Sequence, residues 1–223
     1  MRAVIGDVLP LAIVVTVSPI NIVAAILLLF TKRPILHATC YLAGFVVGVA
    51  AVLGTLTAIA GAADLSTDSQ RSRGASAVLL ALGILLLVVA VGKFRARPAA
   101  GTTAPAPAWM DGIAGFGPGK SLAVGFGVGA VNPKNVAVAL ASAVTIASAG
   151  LSVGQSVGVV AVYTVVACLG VATPIVAMLV LGDRSDGVLS EWQAWLDRNN
   201  SAMMAVLYLI FGIILVGKGI GGI

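Results

Sequence analysis

The sequence predicts an all-α integral membrane protein of about six transmembrane helices, built as two inverted three-helix repeats. The first and fourth helices are expected to be kinked or broken at proline motifs. Three observations lead there. Hydrophobic residues make up 60% of the 223 positions and charged residues only 9%, with a mean hydropathy of +1.11. An ordinary soluble domain carries roughly 25% charge, so most of these side chains must face lipid. Apolar stretches at 5–30, 36–62, 75–94, 119–147, 153–181 and 201–220 are each long enough to span, since a hydrocarbon core about 30 Å thick needs roughly 20 residues of helix. They are continuously apolar, without the alternation of barrel strands. The third observation is a pair of proline motifs at matching places in the two halves.

The stretch at 5–30 is too long for a signal-peptide core and ends in Lys32-Arg33 instead of a small-residue cleavage site, so it reads as a retained first helix. A short basic turn, Thr31-Lys32-Arg33-Pro34, leads into the second stretch. Residues 63–74 carry mixed charge (Asp64, Asp68, Arg71, Arg73) and connect it to the third. The segment 95–118, with Pro98, Gly101, Pro105 and Pro107, reads as a flexible linker between a first repeat at 1–94 and a second at 119–223. A tight turn at 148–152 follows the fourth stretch. Residues 182–200 contain Asp183, Arg184, Asp186, Glu191, Trp192, Trp195, Asp197 and Arg198, and predict a short amphipathic helix lying at the interface with its tryptophans as headgroup anchors.

Orientation follows from the basic residues in alternate loops. Eight (Lys32, Arg33, Lys93, Arg95, Arg97, Lys120, Arg184, Arg198) fall on the side of the linker and four (Arg2, Arg71, Arg73, Lys218) on the other. The positive-inside rule then places the linker in the cytoplasm and both termini outside. The formal net charge of +5 comes from single residues at helix ends, which argues against nucleic acid as a partner. Cys40 and Cys168 sit in apolar runs, where cysteine behaves as a small hydrophobe, and no metal-ligand spacing surrounds them.

The repeat rests on Ser18-Pro19-Ile20-Asn21-Ile22 in the first helix and Asn132-Pro133-Lys134-Asn135-Val136 in the fourth. Both read polar-Pro-x-Asn followed by a β-branched residue. A second echo closes each half: Val91-Gly92-Lys93 and Val216-Gly217-Lys218. Three helices per half is an odd number, so the second copy must insert upside down, a plan in which substrate sites lie near the midplane where discontinuous helices meet. Proline removes a backbone donor and disturbs the preceding turn, and in lipid an unsatisfied polar group costs several kcal/mol. Ser18, Asn21, Asn132 and Asn135 could return hydrogen bonds to the freed backbone, in which case the motifs are kinks that only pack, or they could face a cavity and bind substrate. Upstream of the second motif, Gly125, Gly127 and Gly129 would let another helix approach closely.

Lys134 is the lone charge expected near the bilayer centre, where an ammonium costs about 2.5–3.5 kcal/mol on insertion scales. The eight acidic residues lie at span ends or in loops, Asp7 alone reaching towards the membrane. Lys134 is therefore either a cationic site for an anionic substrate group or a structural lysine, bonded to carbonyls freed by Pro133 or snorkelling to the interface. His37, the only histidine, starts the second helix and reads as an interface residue. No nucleotide-binding loop, Ser–His–acid set or metal cluster is present in the sequence, so neither an enzyme, a cofactor nor a catalytic residue is expected.

Ser18-Pro19-Ile20-Asn21, the basic turn at Lys32-Arg33, and Asn132-Pro133-Lys134-Asn135 before an Ala-rich helix resemble the lysine-exporter superfamily. Within it, the chain looks most like the peptidoglycolipid-addressing or sulfolipid-addressing proteins of mycobacteria and related actinobacteria. The resemblance covers essentially the whole chain, with Asn-Pro-Lys-Asn its most specific part. It implies movement of complex envelope lipids towards the surface without ATP hydrolysis by the protein, with Lys134, Asn132, Asn135, Ser18 and Asn21 as substrate-binding residues and Pro19 and Pro133 as helix breaks. An exporter of amino acids or ions in the same superfamily, and a non-transporting scaffold of a lipid-synthesis or export complex, are the other two readings. Membrane lipids are the expected surroundings, and the glycine-rich faces would also serve a homodimer.

Overall fold

A computed structural model of the chain describes residues 1–62, 69–95 and 112–221; most of the predicted linker, 96–111, and part of the mixed-charge loop, 63–68, lie outside them. Among the described residues all regular structure is helical: α1 (Arg2–Thr16), α2 (Pro19–Leu29), α3 (Pro34–Ala62), α4 (Ser69–Arg95), α5 (Pro118–Val131), α6 (Pro133–Ala147), α7 (Val153–Leu181) and α8 (Ser185–Ile220), with short 3₁₀ turns at Ile113–Gly115 and Gly182–Arg184. Four helices are each long and apolar enough to cross a membrane, and α1–α2 and α5–α6 add two bent spans, for up to six crossings. The chain is thus a multi-pass membrane protein.

Proline sets where half of these helices begin. Pro19, Pro34, Pro118 and Pro133 are each the first residue of a helix, the position where a missing N–H costs nothing. For α2 and α6 the same residue ends the helix before it. The chain bends by 51° between α1 and α2 and by 55° between α5 and α6, so the first and fourth spans are broken where the sequence placed their motifs. The start of α7 is fixed differently, by a reciprocal capping box between Ser152 and Gln155.

Glycine decides which helices touch most closely. A side chain at Gly44 or Gly48 of α3 would collide with the backbone of α5 near Leu122 and Phe126, and one at Gly125 or Gly129 would collide with α3 near Tyr41 and Phe45. These four form one parallel α3–α5 seam. Gly127 and Gly154, although equally suggestive in sequence, have open space around them. A second seam joins α4 to α8 in antiparallel fashion: Gly83 meets Gly212 and Val216, and Gly219 meets Leu80. Gly170 of α7 receives the carbonyl of Thr16 at the end of α1. At one end of the bundle Asp7 and Lys218 form an ion pair at 3.1 Å, tying α1 to the end of α8.

One expected element is different. Residues 182–200 do not form a separate interfacial helix: α8 runs unbroken for 36 residues from Ser185 to Ile220. Its length, about 54 Å at 1.5 Å per residue, well exceeds a hydrocarbon core of about 30 Å. The sequence changes from polar to apolar near Asn200, but no glycine or proline lies between Val188 and Phe211 to stop the helix. Asn199 even returns its side-chain amide to the carbonyl of Trp195 within the same helix.

Candidate functional site at the two helix breaks

The two breaks meet inside the bundle. Val14 and Val128 each lie in the last turn before a break, where carbonyls lose their helical partners. Both are satisfied from the first turn of α6. Lys134 Nζ donates to the Val14 carbonyl at 3.0 Å, and Asn135 Nδ2 donates to the Val128 carbonyl at 3.0 Å. One helix start therefore caps the ends of both α1 and α5, linking the halves of the chain across 120 positions.

Lys134 is only 6% exposed. Among the described residues no carboxylate pairs with it; the only ion pair seen there joins Asp7 and Lys218. The carbonyl dipole of Val14 answers part of an ammonium charge and leaves room for a stronger partner. Asn132 is the N-cap of α6, its side-chain oxygen accepting from the Lys134 N–H at 3.1 Å. Ser18 holds the matching place at the start of α2, but makes no such side-chain cap. Among the described residues its hydroxyl, on a residue 1% exposed, has no hydrogen-bond partner, and the same holds for both polar atoms of the Asn21 side chain and for Oδ1 of Asn135. Buried polar atoms are normally paired, so this concentration at the breaks marks a place prepared for other contacts.

A cavity of about 190 Å³ lies here, lined by Ser18, Ile20, Lys93, Asn132, Lys134, Asn200, Ser201, Met204 and Tyr208. Of the seven residues singled out in the sequence, it brings together Ser18, Asn132 and Lys134. Asn21 and Asn135 are buried within the first turns of α2 and α6 and are not among its lining; Pro19 and Pro133 open those two helices. The amino ends of α2 and α6 converge on this region, each with the partial positive charge of a helix dipole. With two lysines added and no acidic residue among the described lining, the cavity is electropositive.

Lys93, Asn200, Ser201 and Tyr208 also line the cavity, although their sequence context alone does not mark them as site residues. Lys93 reads as a flank of the linker, yet it stands exposed at the cavity's rim. The Val-Gly-Lys echo at 91–93 was the signal available. Asn200 and Ser201 could have been found from the abrupt polarity at the start of the last apolar stretch. His37 is buried beside the short turn, its Nδ1 2.8 Å from the Thr31 hydroxyl.

A second hollow adjoins the first. It has a volume of about 440 Å³ and is almost wholly apolar, bounded by the α1 break, α7 around Gly170, and the first half of α8 with Trp192 and Trp195.

Among known proteins, the sequence model of one family, described as "Sap, sulfolipid-1-addressing protein", matches residues 8–221. No curated protein and no solved structure matches the chain.

Proposed function

Because the chain belongs to the sulfolipid-1-addressing protein family, we propose that it is an exporter that moves a cell-envelope lipid, or another anionic amphiphile, across or out of the cytoplasmic membrane. The observation that carries this reading is the buried Lys134 ammonium in a polar cavity at two helix breaks, with no carboxylate among the described residues to neutralise it. An anionic head group would complete its coordination, and the amino ends of α2 and α6 would add to the attraction. The family's description names a lipid, and the apolar hollow beside the cavity favours a lipid over a small water-soluble solute.

In this reading the protein performs no covalent chemistry and needs no cofactor. The two bent spans are counterparts in an inverted repeat, and exchange of access between the two membrane faces comes from rocking of one half against the other. The linker lies in the cytoplasm and the termini outside, as the loop charges favour. Contact with lipid-synthesis or export machinery, or with a second copy of the chain, is compatible with this role.

The test uses a strain lacking the native gene, complemented with wild type or Lys134→Ala at matched membrane abundance. Surface-extractable lipids are compared by mass spectrometry. Loss of one anionic lipid class from the surface, with normal synthesis inside, is the expected result. A lipid profile restored in full by Lys134→Ala would make that residue structural and move the reading towards a scaffold.

A further inference from the structure

We propose that the apolar groove between α7 and the first half of α8, walled by Trp192 and Trp195, holds an acyl chain of a lipid whose anionic head occupies the neighbouring cavity at the helix breaks. This deepens the export reading and rests on it.

The groove and the cavity share two walls. Val17 lines the first and the next residue, Ser18, lines the second. On α8, Leu196 lines the groove and Asn200, one turn further along the same face, lines the cavity. From Asn200 to Trp192 the groove follows α8 for about 12 Å at 1.5 Å per residue. Gly170 closes its floor, because α7 presents no side chain there and the end of α1 comes directly against it. Trp192 and Trp195 are 38% and 51% exposed, so their indoles border the groove without closing it, and a chain could slide in from the side.

The groove's chemistry selects its occupant. Its two hydroxyl side chains are already engaged: Thr16 Oγ1 donates to the Val166 carbonyl at 2.6 Å, with Ala12 O at 3.1 Å, and Thr173 Oγ1 donates to the Leu169 carbonyl at 2.7 Å. A peptide segment laid there would leave its own N–H and C=O groups unsatisfied, and a polar solute would lose its hydration. An acyl chain has neither cost and gains from leaving water. The adjoining cavity supplies the complement, with Lys134, Lys93 and two helix amino ends facing a head group and no acid among its walls. Polar and apolar portions thus lie side by side in the order an anionic amphiphile presents them.

The experiment uses the full chain in nanodiscs containing a trace of phosphatidylglycerol or phosphatidylcholine, each carrying the same diazirine-bearing acyl chain. After illumination the labelled residues are located by peptide mass spectrometry. Label from phosphatidylglycerol is expected at 16–22, 170–173 and 192–196, in excess over phosphatidylcholine, with that excess reduced in Lys134→Gln. A Trp192→Ala/Trp195→Ala double variant should lower groove labelling about tenfold, whereas the Trp192→Phe/Trp195→Phe pair should keep most of it, which guards against mere unfolding. Label confined to the outward faces of α3 and α4, or to residues 96–111, with the preference for phosphatidylglycerol kept, would overturn the groove and leave the anionic head site standing. Equal labelling by both lipids, unchanged in Lys134→Gln, would instead overturn the head site and the inference built on it.

Discussion

Ser18 and Lys134 face one small cavity from opposite halves of the chain, and they are held there in different ways. The Lys134 ammonium has a carbonyl partner from α1, whereas the Ser18 hydroxyl is buried with no partner among the described residues. Removing them should therefore give different results. Ser18→Ala eliminates an unsatisfied group, so thermal unfolding in detergent should be unchanged or slightly raised, while binding of an anionic lipid falls. Asn132→Ala removes a formed cap and should cost about 1 kcal/mol, read as a lowered unfolding midpoint in the same assay. Lys134→Met removes a buried ammonium that no carboxylate pairs with among the described residues, and leaves the Val14 carbonyl without its donor; relief of the buried charge should let the fold persist, and preference for anionic over zwitterionic lipid should disappear. Lys134 was legible in the sequence because a lone charge in an apolar span has few explanations. That Asn132 both caps α6 and reaches the cavity while Asn135 turns back to α5 was not, since the two lie three residues apart and only the 55° bend decides where each side chain goes.

Among the helices, the glycine seams give the clearest contrast. Gly125 and Gly127 are two residues apart and look alike in sequence, but a side chain at Gly125 would enter the backbone of Tyr41 while one at Gly127 meets nothing within 4 Å. Gly125→Val should force α3 and α5 apart and destabilise the protein by about 1–3 kcal/mol or more. Gly127→Ala should be neutral or stabilising, since alanine favours a helix over glycine by up to about 1 kcal/mol. Parallel thermal melts of the two variants check both statements. The length and breaks of the spans could be read beforehand because hydropathy and proline act locally. The continuity of α8 could not, because a change of polarity reads as a boundary. A change of solvent along a helix does not break its hydrogen-bond ladder; only a residue such as proline, or a competing cap, would do so, and none stands between Val188 and Phe211.

For the whole molecule, counting each bent pair as one span gives six crossings, which places residues 95 and 118 at the end of the bundle opposite the Asp7–Lys218 pair. Single cysteines introduced at Arg2 and Lys120 in a Cys40→Ala/Cys168→Ala background should report the orientation. An impermeant thiol reagent applied to intact cells is expected to label position 2 and spare position 120; the reverse pattern would invert the assigned topology. The pairing of α3 with α5 and of α4 with α8 lay beyond the sequence, because close approach depends on which faces meet. Gly83 and Gly212 carry no mark that names the other. That same contact gives the long last helix a mechanical character. From Gly212, where α4 bears against it, α8 extends back to Ser185 over about 40 Å at 1.5 Å per residue, as one stiff rod. A pivot of a few degrees at such a fulcrum would swing the tryptophan-bearing arm by several ångströms, so a force applied near Ser185 would be delivered, as leverage, to the polar cavity halfway along the rod.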